Sequence, residues 1–409
     1  MKPLRIVFSY QGGLSVTARN HPLFLLSKEL AAVGAEIFIL ISPQPDRKSP
    51  VWEDVSLNKN ITVREIPRWI EKIGKLWHPA AKALHIARHA FKERISWSES
   101  RAYLACDDHF YASYRLWKRE MDKICKEFHP DAIVSFTASG SSAALVDWAK
   151  ARDLPYWYAE NSCGPGADGI PTRAYRKWKP LWKKLDGIIG HTQSLETLYR
   201  NHGFAGTYYY LPHWTSFTYE RATPVWRENA SKPFVIASLG RMDPFKGYDT
   251  LCDAVFLCRK RGLDVRVRLV GDAEPASEFQ KQFEGKDWIE LRPPFFREKD
   301  LIDFFQGVDL FVMASLFEGP CLALLEAMAL GLPCAVSEVG GMPEILQGQG
   351  RLFPPADPVA LSNLISELAM NRAALKAMST GSLRRFEELT NLGTIRGKVE
   401  GLAKSLQGK

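Results

Sequence analysis

Short apolar segments alternate with stretches of helical periodicity from the first residues of the chain onward. LRIVFS (4–9) and AEIFILI (35–41) have the composition of buried strands. Apolar side chains at helical spacing lie between them, at Leu23, Leu26, Leu30 and Val33. This order predicts a βαβ unit. The alternation continues, around a long helical region between about 78 and 127, in DAIVSF (131–136), LPYWYA (154–159), DGIIGH (186–191) and TYYYLP (207–212).

A second series of strand-like segments follows a polar, proline-containing stretch. Its members are FVIASLG (234–240), VRVRLVG (265–271), WIEL (288–291), DLFVMA (309–314) and PCAVS (333–337). A chain of 409 residues is also too long for one ordinary core. We therefore predict an α/β protein of two Rossmann-like parallel-sheet domains. The predicted divisions are an N-terminal domain (1–212), a linker (213–233), a second domain (234–385) and a C-terminal helical segment (386–409) whose return to the N-terminal domain is left open.

The net charge suggests an anionic partner, and the hydropathy pattern suggests where the protein is located. The formal charge of +8 suits nucleic acid, an anionic membrane surface or a phosphorylated substrate, and charge alone does not choose among them. No apolar run approaches the roughly 18 residues of a spanning helix, and the apolar run at the start is too short for a secretory signal. We expect a cytoplasmic protein that either is free or lies on the inner face of the membrane.

The cysteines suggest neither a disulfide framework nor a zinc site. There are seven, an odd number, and no two form a Cys-x-x-Cys pair. We expect reduced thiols with structural roles and no metal.

Two cations follow the first strand of the second domain. Arg241 and Lys246 lie in the loop after FVIASLG, and ligands of open parallel sheets bind beyond the carboxyl ends of the strands. Arg can bind a diphosphate as a bidentate fork and Lys as a point charge. An isolated pair of this kind is more typical of solvated loop charges.

The stretch SLFEGPCLALLEAMALGLPCAVSEVGGMPEIL (315–346) combines two acids with two flexible turns. Gly319-Pro320 predicts a helix start, which leaves Glu318 in the loop and Glu326 about two turns into the helix. The helix N-terminus attracts an anion, and carboxylates accept hydrogen bonds from sugar hydroxyls. The turn at Gly340-Gly341 permits either close approach of a ligand or a tight connection.

Glu318, seven intervening residues and Glu326, followed by GLPCAVSEVGGMPEIL, resemble the donor-binding signature of the retaining glycosyltransferases of family 4. That family has the GT-B fold, with two Rossmann-like domains facing each other across a cleft. The resemblance covers essentially the whole second half and extends to Gly240-Arg241, Lys246-Gly247, Val270-Gly271-Asp272, Gly307-Val308-Asp309 and 352–358.

The resemblance implies a role for each matching residue. Arg241 and Lys246 would hold the donor diphosphate, Glu318 would face the sugar hydroxyls near the reacting carbon, and Glu326 would bind the ribose. The backbone around the donor in the second domain would come from Gly240, Gly319, Pro320, Cys321 and Leu322. In the first domain, Gly12 and Gly13 either approach the donor phosphate or form an ordinary tight turn. Such transferases need no metal, because side-chain cations and helix N-termini stabilise the leaving group. We therefore expect no cofactor beyond the nucleotide-sugar co-substrate.

The sequence departs from the family pattern in two places. Pro293 and Pro294 stand where the family usually has a glycine, which puts the identity of the nucleobase in doubt. Glu160 and Asn161 stand where many members carry a histidine facing the donor sugar. These two residues either bind an acceptor or donor hydroxyl or are ordinary residues of a strand-end turn.

Two basic, aromatic stretches concern the acceptor. Residues 68–97 mix cations with Trp and Phe, and 173–185 places Tyr175, Trp178 and Trp182 on one helical stripe among six cations. The second stretch is either a helix packed on its own sheet or a face resting on anionic lipid. No nucleic-acid-binding module accompanies the charge, so we expect no nucleic-acid partner.

The whole pattern predicts a retaining glycosyltransferase that moves a hexose from a nucleotide-diphosphate sugar to a hydroxyl of a glycan or glycolipid. Assembly of cell-envelope polysaccharide or lipopolysaccharide is the expected setting. The alternatives are a GT-B epimerase or phosphorylase and a sugar-nucleotide-binding protein without turnover. The absence of G-x-G-x-x-G disfavours an NAD-linked dehydrogenase.

Overall fold

The computed structural model describes residues 2–10, 22–41, 55, 57–65, 114–136, 140–160, 182–201, 203–214, 225–226, 233–240, 242, 244–270, 281–293, 298–319 and 321–407. The chain divides into two compact units. The first comprises Met1–Pro212 together with Ile395–Lys409, and the second comprises His213–Thr394.

The first unit is built on a seven-stranded parallel sheet in the order β3-β2-β1-β4-β5-β6-β7. Its strands are β1 (Arg5–Tyr10), β2 (Glu36–Ile41), β3 (Ile61–Glu65), β4 (Ala132–Ser135), β5 (Tyr156–Ala159), β6 (Gly187–Gly190) and β7 (Thr207–Tyr210). Its described helices before residue 212 are α1 (Pro22–Ala32), α2 (Tyr114–Phe128), α3 (Gly140–Lys150) and α4 (Ser194–Asn201). Every residue of β4, β5 and β6 is buried, which explains why these strands read as short apolar runs.

The second unit contains a six-stranded parallel sheet in the order β10-β9-β8-β11-β12-β13. Its strands are β8 (Phe234–Leu239), β9 (Val265–Val270), β10 (Ile289–Arg292), β11 (Leu310–Met313), β12 (Cys334–Ser337) and β13 (Arg351–Phe353). Its described helices are α5 (Tyr248–Lys260), α6 (Glu298–Phe305), α7 (Leu322–Ala329), α8 (Met342–Leu346), α9 (Pro358–Met370) and α10 (Arg372–Thr390). The prediction of two Rossmann-like parallel-sheet domains is confirmed.

The last helix, α11 (Leu392–Leu406), packs on the edge strand of the first sheet. Tyr209 Oη donates a hydrogen bond to the carbonyl oxygen of Lys398. The Lys398 ammonium lies 4.8 Å from the centroid of the Tyr210 ring. These contacts tie the described end of the chain to β7.

A buried acid joins four segments of the second unit at the amino ends of its central strands. Asp309, which precedes β11, accepts a hydrogen bond from the Val235 amide (2.9 Å) and forms an ion pair with Arg372 (2.6 Å). The Trp226 indole donates to the Asp309 carbonyl at 3.2 Å, and the Arg372 guanidinium lies 5.2 Å from the Trp226 ring centroid. Trp226, which lies in the predicted linker, is therefore fixed to the second unit.

Candidate functional site

The loops after β8, β11 and β12 carry the polar residues that the sequence analysis selected in the second unit. β8 and β12 both pair with β11, so these loops emerge side by side from one edge of the sheet. Lys246 ends a short 3₁₀ turn after β8, and Glu318 lies in the loop between β11 and α7. The loop after β12 contains Gly340.

Lys246 and Glu318 form an ion pair although they are 72 residues apart in the sequence. The Lys246 ammonium donates to Glu318 Oε2 at 2.6 Å, and the two side chains are only 16% and 10% exposed. Ser315, which is fully buried, donates its hydroxyl to the same oxygen at 2.9 Å. The loop thus holds a cation and a carboxylate together, with little solvent around either.

Helix α7 begins directly behind this pair. Cys321 is its N-cap residue, and no described side chain caps the first turn. Leu322 and Glu326, one turn apart, are half-buried, whereas Leu324, Leu325 and Met328 are buried. The N-terminus of α7 carries the partial positive charge that attracts an anion, and the Glu326 carboxylate lies one turn further along the same side of the helix.

Two glycines with positive φ close the backbone around the loop 314–318. Gly247 (φ 63°) packs against the carbonyl oxygen of Ala314, and Gly340 (φ 55°) packs against that of Glu318. A Cβ atom at either glycine would overlap the carbonyl oxygen. The Gly340 turn is therefore a tight connection that fixes the position of the Glu318 backbone. At the end of β8, the carbonyl of Gly240 accepts a hydrogen bond from Tyr248 Oη at 3.0 Å.

We expect Gly340→Ala to distort the Glu318 loop, because the added methyl group cannot fit beside the Glu318 carbonyl oxygen. The matched control is Gly348→Ala, whose φ of 77° is also left-handed but whose Cβ would meet nothing within 4 Å. The control should lose about 1 kcal/mol of stability from the backbone strain alone. Gly340→Ala should lose at least about 2 kcal/mol more, measured by urea unfolding. Equal losses in the two variants would contradict the packing role of Gly340.

The described cysteines are free and mostly interior. Burial raises the pKa of the Cys321 thiol well above its usual range, and the nearby Glu318 carboxylate raises this pKa further. Burial also raises the pKa of Cys252 and Cys334 to about 12. These thiols are therefore protonated at neutral pH and serve as packing groups.

The structure places Glu160 in the interior of the first unit, just beyond β5. Its side chain is fully buried and accepts a hydrogen bond from Tyr199 Oη. The pKa of Tyr199 is raised well above its usual range, because the phenol is buried and the Glu160 carboxylate lies beside it. Burial likewise lowers the pKa of His191 to about 4, and its Nδ1 lies 2.8 Å from the Leu211 carbonyl oxygen. The Tyr199 hydrogen bond therefore holds Glu160 in the core. The assignment of Glu160 to a sugar hydroxyl stays a prediction.

Several predicted site residues lie outside the described residues, so the structure does not place them. They are Gly12, Gly13, Asn161, Arg241 and Pro320, together with Pro294 and most of the stretch 173–185. At the end of that stretch, Trp182 and Leu185 belong to the hydrophobic core of the first unit. The burial of these two side chains agrees with a helix packed on its own sheet, the first of the two alternatives given for residues 173–185.

Sequence reasoning missed Ser315 and Ser337. Ser337 ends β12, is fully buried, and donates its hydroxyl to the carbonyl oxygen of Ser315. The only signal for Ser315 is its position three residues before Glu318, and Ser337 has none, because its partner is 22 residues away in the sequence.

The described helices include none with the length and apolar character needed to span a bilayer.

Two parallel-sheet α/β units with this site define the GT-B class of fold, and comparison with known proteins agrees. Residues 233–371 match the family model described as "Glycosyl transferases group 1". HepE of Anabaena, solved in complex with UDP and glucose, superimposes with a TM-score of 0.68 at 15% identity, over 98% of this chain and 100% of that one. The predicted GT-B fold class is confirmed, and the match to the group 1 model lies within the second unit.

Curated relatives match over part of their length. The D-inositol 3-phosphate glycosyltransferase of Streptomyces coelicolor is 29% identical over 162 residues, which are 36% of this chain and 35% of the relative. The amylovoran biosynthesis glycosyltransferase AmsK of Erwinia amylovora is 26% identical over 158 residues, 36% of this chain and 39% of the relative. The matched part of the chain spans between about a third and two fifths of the length of such relatives.

Proposed function

We propose that the protein is a retaining glycosyltransferase that moves a hexose from a nucleotide-diphosphate sugar to a hydroxyl of a glycan or glycolipid. The observation that carries the proposal is the Lys246–Glu318 pair beside the N-terminus of α7, inside the region that matches the group 1 model. A cation and free N–H groups suit a diphosphate, and a carboxylate suits the hydroxyls of the attached sugar.

The proposed division of labour follows the chemistry of each group. Lys246, together with Arg241, binds the diphosphate, and Glu326 accepts hydrogen bonds from the ribose. Glu318 accepts a hydrogen bond from the sugar near its reacting carbon, and its negative charge stabilises the positive charge that develops there. These side-chain cations and the helix N-terminus take the place of a metal ion, so the proposed reaction needs no metal.

The reaction would proceed on one face of the sugar. The bond between the anomeric carbon and the phosphate oxygen breaks through an oxocarbenium-like state, and the acceptor hydroxyl attacks from the face that the diphosphate leaves. The hydroxyl proton passes to an oxygen of the leaving diphosphate, so the configuration at the anomeric carbon is retained.

We assign the acceptor to polysaccharide or lipid-linked glycan assembly. The name of AmsK, which refers to amylovoran biosynthesis, supports a polysaccharide product. The net charge of +8 supports work at an anionic membrane surface from the cytoplasmic side, with the cations of residues 173–185 as the candidate contact, while Trp182 and Leu185 pack in the core. Lipopolysaccharide assembly belongs to the same proposal.

The test is calorimetric titration of the full chain with UDP-, GDP-, ADP- and dTDP-hexoses. We expect one donor to bind, and Arg241→Ala and Glu326→Ala each to weaken its binding about 10-fold or more, because each removes a charged hydrogen-bonding partner. Binding that neither substitution weakens would overturn the assignment of these residues. The product separates the classes, since a transferase releases nucleoside diphosphate and glycosylates an acceptor. An epimerase returns an isomeric sugar nucleotide, and a binding protein leaves the donor unchanged.

A further inference from the structure

We propose that Ser315 is a positioning residue that holds the Glu318 carboxylate in the orientation that reads the donor sugar. This inference rests on the proposed function, because it assigns Glu318 to the sugar. The Ser315 hydroxyl donates its hydrogen bond to the Glu318 carboxylate, so Ser315 would act on the donor through Glu318.

The hydrogen bonds to Glu318 are unequally shared between its two oxygens. Oε2 accepts from both Lys246 (2.6 Å) and Ser315 (2.9 Å). Among the described residues, none donates to Oε1. One oxygen is therefore held by two donors, and the other is left as an acceptor for a ligand hydroxyl.

Lys246 alone cannot fix the carboxylate once a donor is bound. Its ammonium sits on a flexible four-carbon stem, and a diphosphate competes for its three N–H donors. Ser315 has no such freedom, since it is fully buried and its hydroxyl lies three residues from the acid that it binds. Ser315 thus keeps the carboxylate oriented while Lys246 moves toward phosphate.

Ser315 is itself held from the neighbouring strand. Ser337 at the end of β12 donates to the Ser315 carbonyl oxygen, while Gly247 and Gly340 pack against the carbonyl groups of Ala314 and Glu318. The backbone of the loop is therefore fixed at residues 314, 315 and 318. The Ser315 side chain adds the bond to Glu318. Ser315→Ala removes that bond and keeps the Ser337 bond, because the latter goes to the backbone.

A purely structural role for Ser315 predicts different measurements. If the Ser315–Glu318 hydrogen bond only satisfied a buried hydroxyl, its loss would reduce stability and would change the binding of the nucleoside diphosphate and of the nucleotide hexose equally. If it orients Glu318, its loss removes the contribution of the hexose to binding and leaves that of the diphosphate. The ratio of the Kd of the nucleoside diphosphate to the Kd of the nucleotide hexose isolates this contribution.

The experiment titrates four full-length proteins: wild type, Ser315→Ala, Glu318→Gln and the double variant. The probes are UDP against UDP-glucose, GDP against GDP-mannose and ADP against ADP-glucose. We expect Ser315→Ala to lower the Kd ratio about 3- to 10-fold and to change the affinity for the bare diphosphate by less than about twofold. The double variant should match Glu318→Gln alone, since both substitutions act on one carboxylate.

Two further variants guard against a general effect on the fold. Ser379→Ala removes a buried serine hydroxyl that donates to the Gly331 carbonyl oxygen, and it should leave the ratio unchanged. Ser315→Thr keeps the hydroxyl and should retain most of the ratio.

An unchanged ratio in Ser315→Ala, with a reduced one in Glu318→Gln, would overturn the positioning role and leave the proposed function intact. Equal losses for diphosphate and sugar nucleotide in Ser315→Ala would overturn it as well. Failure of the wild-type protein to bind any of the probes would overturn the proposed function, and the role of Ser315 with it.

Discussion

Glu318→Gln lowers donor turnover about 10²- to 10³-fold, the loss expected when one preorganised electrostatic partner of a transition state is removed. Glutamine keeps the size of the side chain and loses the charge that the proposed function assigns to the reacting carbon. The substitution also removes the counter-ion that lies 2.6 Å from the Lys246 ammonium in the wild-type protein. The affinity for the bare nucleoside diphosphate should therefore stay constant or rise while turnover falls.

The measurement follows nucleoside diphosphate released from the donor found by calorimetry, with a membrane lipid extract as the source of acceptor. Glu367→Gln is the matched control, because this carboxylate pairs with Arg351 (3.2 Å) at an exposed position. The control should keep full turnover. A Glu318→Gln protein that keeps more than about a tenth of wild-type turnover would contradict the catalytic role, since a loss of that size is expected from a minor contact.

Most of the fold followed from hydrophobic pattern because strands buried on both faces read as apolar runs. β1, β2 and β4 lie within a residue of the segments predicted for them. β13 was not predicted as a strand because it has only three residues, and Arg351 and Leu352 are exposed on it. An edge strand of this kind has no periodic signal to distinguish it from a loop.

The site was predictable only in the part that the topology dictates. Lys246 and Glu318 were both predicted at the carboxyl ends of strands, and the observed sheet order places those two strands side by side. The bonds from Ser315 and Ser337 were not, because a serine at the end of an apolar strand gives no sign of its partner. Glu160 was selected for its place at a strand end, but Tyr199, 39 residues later, supplies its hydrogen bond in the core. Side-chain pairing across elements depends on packing that no local pattern encodes.

Asp309→Ala should cost about 2–4 kcal/mol of stability. Asp309 belongs to one of the motifs that carry the family resemblance, Gly307-Val308-Asp309, but its contacts indicate a structural role. The substitution removes the Arg372 ion pair and the hydrogen bond from the Val235 amide, both made by a side chain that is 6% exposed. The loss leaves the Val235 amide without its acceptor and removes the Asp309 counter-ion of Arg372. For a unit of this size, the thermal midpoint should fall by about 5–10 °C.

Asp264→Ala is the control for a surface acid in the same unit. Its carboxylate lies 3.8 Å from Arg259 and is 52% exposed, so its loss should cost about 0–1 kcal/mol. Thermal unfolding followed by circular dichroism compares the two variants, and equal shifts would refute the structural role of Asp309. Asp309 precedes β11, whereas Glu318 follows it, so the two acids lie at opposite ends of the same central strand. Below its unfolding transition, Asp309→Ala should therefore bind the donor as the wild type does, which separates stability at one end of the strand from chemistry at the other.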